Sequence, residues 1–141
     1  MSTIKKALSG NHTHRGRPNP VGGCPLTAAL AAIGGKWKLI IVYWLAESPK
    51  HFAGLRRLMP GISQKVLTEQ LRELTGDGIV RRQPQGPVPS PVEYSLTGYG
   101  RSLLPLVEDI RLWGRTHMER LTCQARDFEH KNRIDSSELL P

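Results

Sequence analysis

Hydrophobic residues in this chain recur with two different periods, and glycine and proline mark where one gives way to the other. From Cys24 onward Leu26, Ala29, Leu30 and Ile33 repeat at helical spacing, and Gly34-Gly35 closes that first helix. Lys36–Ala46 predicts a second helix, apolar nearly all round through Trp37, Leu39–Trp44 and Leu45, and hence central to a core. Ser48-Pro49 ends it. Phe52, Leu55 and Leu58 predict a short third helix closed by Pro60-Gly61, and Ser63 is suited to N-cap a fourth. In the fourth helix Leu67, Leu71 and Leu74 form one buried stripe. Residues advance about 100° per position, so Lys65, Thr68, Glu69 and Arg72 face the other way. Gly76 and Gly78 terminate this helix.

The period then shortens. Ile79–Gln83 reads as a strand, and Val92–Leu96 alternates Val92, Tyr94 and Leu96 with Glu93 and Ser95. Between them Pro84–Pro91 holds four prolines and a glycine, which suits an exposed hairpin tip and no ladder. Thr97 caps a final helix whose Leu103, Val107, Ile110, Gly114 and His117 lie on one stripe, with Leu106 and Trp113 beside it. Pro105 is expected to kink that helix or mark its restart. Beyond about Leu121 the residues are polar and mixed in charge, and fraying is expected. The expected organisation is a flexible basic arm over 1–21, one domain over 22–122, and a polar tail over 123–141. The fold class is mainly α with a small antiparallel β-hairpin (α+β). A short helix, a glycine turn, an amphipathic helix and a hairpin in this order are the parts of a winged helix-turn-helix.

Charge narrows the choice of partner. The chain of 141 residues carries a net charge of +8. Residues 1–20 contribute four of these charges through Lys5, Lys6, Arg15 and Arg17, with no acid. Residues 36–115 hold 12 basic and 7 acidic side chains, so the domain is basic without the arm. That balance favours a polyanion or is a generic basic surface; the helix faces weigh towards the first. The first turn after Ser63 offers free backbone N–H groups and the positive end of a helix dipole, a place for phosphate. Lys65 and Arg72 can pair with phosphate or guanine, while Gln64 and Thr68 can bond base edges or phosphate. Glu69 either accepts from a cytosine amino group or pairs with Lys65 or Arg72. Val66 touches a thymine methyl or packs between helices.

Arg81 and Arg82 stand at successive strand positions and diverge to opposite faces. Either both reach DNA backbone from the wing, with Gln83 assisting, or they are solubilising charge on an edge strand. Arg56 and Arg57, on the helix before the turn, are second-rank candidates for the backbone. The predicted DNA-binding set is therefore Ser63, Gln64, Lys65, Thr68, Arg72, Arg81, Arg82 and Gln83.

Catalysis finds little support in the residues. His12, His14, His51, His117 and His130 form no metal-ligand spacing with cysteines or paired carboxylates, and the double glycines are no phosphate loop. No cofactor, metal site or enzymatic activity is expected. Two cysteines are too few for a disulfide scaffold, so a reducing cytoplasm is the expected location. The longest apolar run, Leu39–Ala46, has eight residues, far short of the about 20 that span a bilayer, and no membrane partner is expected.

From Cys24 the chain closely resembles the HxlR-type winged helix-turn-helix transcriptional regulators, a MarR-like group. The resemblance rests on Cys24-Pro25, Ile33-Gly34-Gly35-Lys36-Trp37, Phe52 with Leu55, Pro60-Gly61-Ile62-Ser63, and Leu67-Thr68. It continues through Leu71-Arg72-Glu73-Leu74, Asp77-Gly78, Val92–Thr97, Gly100-Arg101 and Trp113-Gly114. Gly54 and Thr75-Gly76 depart from it, standing where relatives commonly carry acidic residues. The resemblance implies a homodimer, paired through the first and last helices, that binds double-stranded DNA at a two-fold operator. It puts the recognition helix at Ser63–Asp77 and the wing at Ile79–Leu96. It also implies a redox- or electrophile-sensing role for Cys24, with a small electrophile or oxidant as effector. The alternative for Cys24 is a small residue packed at a helix start. A second class of function stays open as well: a winged-helix module binding RNA or an acidic protein.

Overall fold

The computed structural model describes residues 23–138, with Glu138 described by its backbone alone. The basic arm predicted over 1–21 lies outside the described residues. The chain divides into two units, Met1–Leu104 and Pro105–Pro141.

In the first unit, helix α1 (Pro25–Ile33) starts on a proline and ends where Gly34 N–H bonds the Leu30 carbonyl at 2.8 Å. Helix α2 (Lys38–Glu47) follows at 72° to α1. It starts two residues later than predicted. Ile41, Val42 and Leu45 of α2 are at most 1 % exposed, whereas Ile40 and Tyr43 face outward. The helix therefore has a dry side and a wet side, which an all-round apolar sequence conceals. The residue that completes the dry side is polar: Lys38, fully buried.

Strand β1 (Lys50–His51) and helix α3 (Phe52–Leu58) come next, then helix α4 (Gln64–Gly76), strands β2 (Val80–Pro84) and β3 (Val92–Leu96), and the short helix α5 (Gly98–Arg101). The predicted hairpin is one part of a three-stranded antiparallel sheet of order β1-β3-β2. Its third strand pairs Lys50 with Tyr94 and His51 with Glu93. Two residues are too few to show alternation, so pairing rather than pattern creates β1. Helix α2 packs on β3, α3 and α4, and α4 packs on β2. Leu55, Met59, Ile62, Leu67, Leu71, Leu74, Ile79, Val80 and Leu96 complete the core between helices and sheet. Burying each such side chain fully is worth about 1.5–3 kcal/mol, so the leucine stripe of α4 is a main anchor of the unit.

Only three residues separate α4 from β2, and they are held from both sides. Asp77 N–H bonds the Glu73 carbonyl at 2.9 Å, and Gly78 turns the chain at φ +73°, a conformation that favours glycine. From across the sheet, the Thr97 hydroxyl donates to the Gly78 carbonyl and its N–H to that of Ile79 at 3.1 Å. The same hydroxyl caps α5 by accepting from Gly100 N–H at 2.9 Å. Gly100 is buried against the Ile79 carbonyl, and a Cβ there would lie 2.1 Å from that oxygen.

The predicted final helix is two helices. It breaks after Arg101, and α6 (Leu104–Glu138) restarts with Pro105 in its first turn, where a missing N–H does no harm. Contrary to the expected fraying, α6 runs unbroken past Leu121 to Glu138. Polarity alone does not end a helix. No glycine or proline follows Gly114 in α6, and Asp127/Lys131 and Glu129/Arg133 stand at the supportive i,i+4 spacing. From Glu108 to Ser137 every residue but Gly114 is exposed.

Candidate nucleic-acid interface

Ser63 begins α4 as a working cap: extended at φ −80° and ψ 157°, its hydroxyl accepts from Val66 N–H at 3.1 Å. No acidic side chain occupies the first turn, so the positive end of the helix dipole is left uncompensated. Leu67, Leu71 and Leu74 are 0 to 1 % exposed, and Gln64, Lys65, Thr68 and Arg72 are exposed on the other side. Val66 is half-buried, in keeping with packing. Glu69 is also half-buried and, among the described residues, forms no ion pair with Lys65 or Arg72. Of the two roles open to it, pairing with Lys65 or Arg72 is not made among the described residues. Thr68 donates its hydroxyl hydrogen to the Gln64 carbonyl at 2.8 Å, so it meets a ligand as an acceptor while that bond lasts.

The wing lies beside this helix. Strand β2 is an edge of the sheet, in register with β3 from Val80↔Leu96 to Pro84↔Val92. Arg81, Arg82 and Gln83 are all exposed, opposite Ser95, Tyr94 and Glu93. Beyond them the tip closes with Gln85 N–H on the Pro91 carbonyl at 2.9 Å, and Val88 at its apex is 95 % exposed. Residues 84–91 carry no charge, so the wing's cations sit on its stem. Arg56 and Arg57 are exposed in the last turn of α3. Among the described residues none of Lys65, Arg72, Arg81 and Arg82 is engaged in an ion pair. These cations are free to meet phosphate or base edges.

Residues 32–122 match the HxlR-like helix-turn-helix family. The chain belongs to that family. Among relatives of this HxlR-like protein, the HTH-type transcriptional regulator YybR of Bacillus subtilis is 48% identical over 99 residues, spanning 70% of this chain and 79% of the relative. The solved structure of the redox regulator HypR in its reduced form is 45% identical with a TM-score of 0.66, covering 71% of this chain and 99% of that one. The reduced form of the transcriptional regulator YodB from B. subtilis is 35% identical with a TM-score of 0.57, covering 64% and 89%. The mostly helical fold with a small three-stranded sheet is thus that of MarR-like winged-helix regulators.

Cys24 lies at the start of α1. It is the exposed N-cap residue of α1, and the backbone N–H groups of Thr27 and Leu26 at that open helix end hold its thiol pKa below the ordinary value. Cys123 is exposed on α6. No group of three or more His, Cys, Asp or Glu side chains among the described residues could hold a metal ion, and no single described helix is long and apolar enough to cross a membrane.

Two features of this region are not evident from sequence reasoning. One is the double use of Thr97, which pattern alone marks only as a helix cap. The other is the contact of Lys38 with Glu73 at 2.6 Å beneath α4. A signal for the second exists, since Lys38 shares the i, i+3, i+4, i+7 stripe of Ile41, Val42 and Leu45.

Proposed function

We propose that this chain, a transcriptional regulator of the HxlR type, binds a two-fold duplex operator as a homodimer. Helix α4 enters the major groove and the stem of the wing grips the neighbouring backbone. The observation that carries this reading is the division of α4. Gln64, Lys65, Thr68 and Arg72 stand exposed, with no ion pair among the described residues, while the leucines behind them are dry. Lys65 and Arg72 read guanine or hold phosphate, Gln64 and Thr68 bond base edges, and the Ser63 end of the helix receives a phosphate. Arg81, Arg82 and Gln83 hold sugar–phosphate from the wing.

Apolar surface supports pairing of two copies. Leu26 and Leu30 of α1 are 65% and 57% exposed and Trp113 of α6 is 68% exposed, and Ile110, Leu112, Met118 and Phe128 of α6 are exposed too. Faces of this kind are rare on monomers without a partner. Cys24 gives the regulator its sensor. Its thiolate adds to a quinone ring carbon: the S–C bond forms as the C=C π bond opens and its electrons move to the quinone oxygen, which takes up a proton from water. Its exposed position at the start of α1 and the kinship with the redox regulator HypR support this.

Selection of duplexes from a random pool, followed by footprinting, tests the reading. The expected site has half-sites about 34–36 Å apart. It should outcompete single-stranded RNA by orders of magnitude; preference for the RNA would favour the interaction-module alternative instead. Cys24→Ser is expected to bind the same site and ignore diamide or quinone. An undiminished response in that variant would remove Cys24 from the mechanism.

A further inference from the structure

Lys38 is 2% exposed, and its ammonium group joins three segments of the first unit. It lies 2.6 Å from Glu73 Oε2 in the second half of α4 and donates to the Ala32 carbonyl in the last turn of α1 at 3.3 Å. Its own backbone opens α2. Ala32 belongs to the final turn of α1, where the helix has no further N–H of its own to offer the Ala32 carbonyl, so the lysine closes one helix and holds another.

For stability alone this is a poor choice. Desolvating a lysine is costly, and matched apolar residues commonly serve as well or better in such a place. An ion pair adds direction instead: a short charge-assisted contact fixes where its partner sits, which a leucine stripe does less strictly. Glu73 follows Arg72 directly, about 100° further round the helix. The roll of α4 that seats Glu73 on Lys38 therefore also sets the aim of Arg72 and, one and two turns earlier, of Thr68 and Lys65.

We propose that Lys38 is a positioning residue for DNA recognition, its buried ammonium locking the roll of α4 against the end of α1 through Glu73 and the Ala32 carbonyl. This rests on the DNA-binding reading above. The test compares wild type with the Lys38→Met/Glu73→Leu double variant, and with Lys38→Met alone in case the double variant fails to fold. Glu73 is 30% exposed, so its carboxylate keeps access to water in the single variant. Two probes are used: the tightest duplex that wild type selects from a random pool, and an unrelated duplex of equal length. The variants are expected to remain folded, to lose at least about tenfold in affinity for the selected duplex, and to hold the unrelated one as wild type does. Folded variants with an unchanged ratio between the two duplexes would reduce the pair to packing and overturn the proposal. Equal losses on both duplexes would overturn it as well, because they report general damage to α4. A wild-type protein that prefers no duplex would instead remove the DNA-binding reading, and this proposal with it.

Discussion

Replacing Gly100 by alanine tests how α4 and the wing are joined. The added Cβ would lie 2.1 Å from the Ile79 carbonyl oxygen and 3.0 Å from its carbon, where ordinary separations begin beyond about 3.4 Å. Relief requires a backbone shift of about 1 Å, at a cost of about 1–3 kcal/mol for overpacking. Alanine returns at most about 1 kcal/mol through helix propensity, and little of that within the four residues of α5. The net loss is therefore about 1–3 kcal/mol, and each kilocalorie lowers Tm by about 4–8 °C in a domain of this size. Gly54→Ala makes the same chemical change on α3 with nothing within 4 Å of the new methyl, and it should stabilise by up to about 1 kcal/mol. Urea and thermal unfolding at one fixed protein concentration, followed by tryptophan fluorescence, measure both variants. Because Ile79 links α4 to β2, Gly100→Ala should also weaken operator binding. A Gly100→Ala protein as stable as wild type, or two alanines shifting Tm in the same direction, would refute the reasoning.

Other outcomes follow from the same geometry. Ser63→Ala removes the bond to Val66 N–H and should cost about 1 kcal/mol in urea unfolding, with Ser63→Asp restoring most of it. Arg81→Ala and Arg82→Ala should weaken binding about equally on all duplexes and flatten the log–log salt slope by about 0.9 for each phosphate no longer neutralised. Arg72→Ala should instead cost about 1–3 kcal/mol on the operator alone if it reads a base. For Cys24, the depressed pKa favours the thiolate in the folded chain, so iodoacetamide should modify it at lower pH than in urea-unfolded protein. The linked stability is present above the unfolded pKa and is lost as pH falls through the folded one. Coincident alkylation profiles in the two states would contradict the influence of the Thr27 and Leu26 amides.

Much of this molecule can be read from its residues because the strongest signals are local. Leu67, Leu71 and Leu74 declare the buried side of α4, Ser63 its start, and Pro105 the restart of the last helix. Long-range facts are hidden. Strand β1 exists because Tyr94 and Glu93 offer it an edge, which no property of Lys50-His51 announces. Lys38 shares the stripe of Ile41, Val42 and Leu45, so its burial is legible, but the meeting of α1, α2 and α4 that gives its charge a partner is not. The extension of α6 is missed by equating polar with frayed, although residues 115–138 lack any helix breaker. In the candidate interface, local pattern gives the cations of α4 and the wing their outward positions, while the joint made by Thr97 and Gly100 is visible only in tertiary structure.

The far turns of α6 have a practical consequence. In a single copy, residues 123–137 touch little but water, so their helical bonds rest on local propensity, and helices of about 12–15 residues standing alone are marginal. Amide hydrogens there should exchange with deuterated solvent almost as fast as in a free peptide. Slow exchange would mean that another surface lies over them. Mass spectrometry of peptides from Thr122 onward thus gauges self-association directly, with no nucleic acid in the tube.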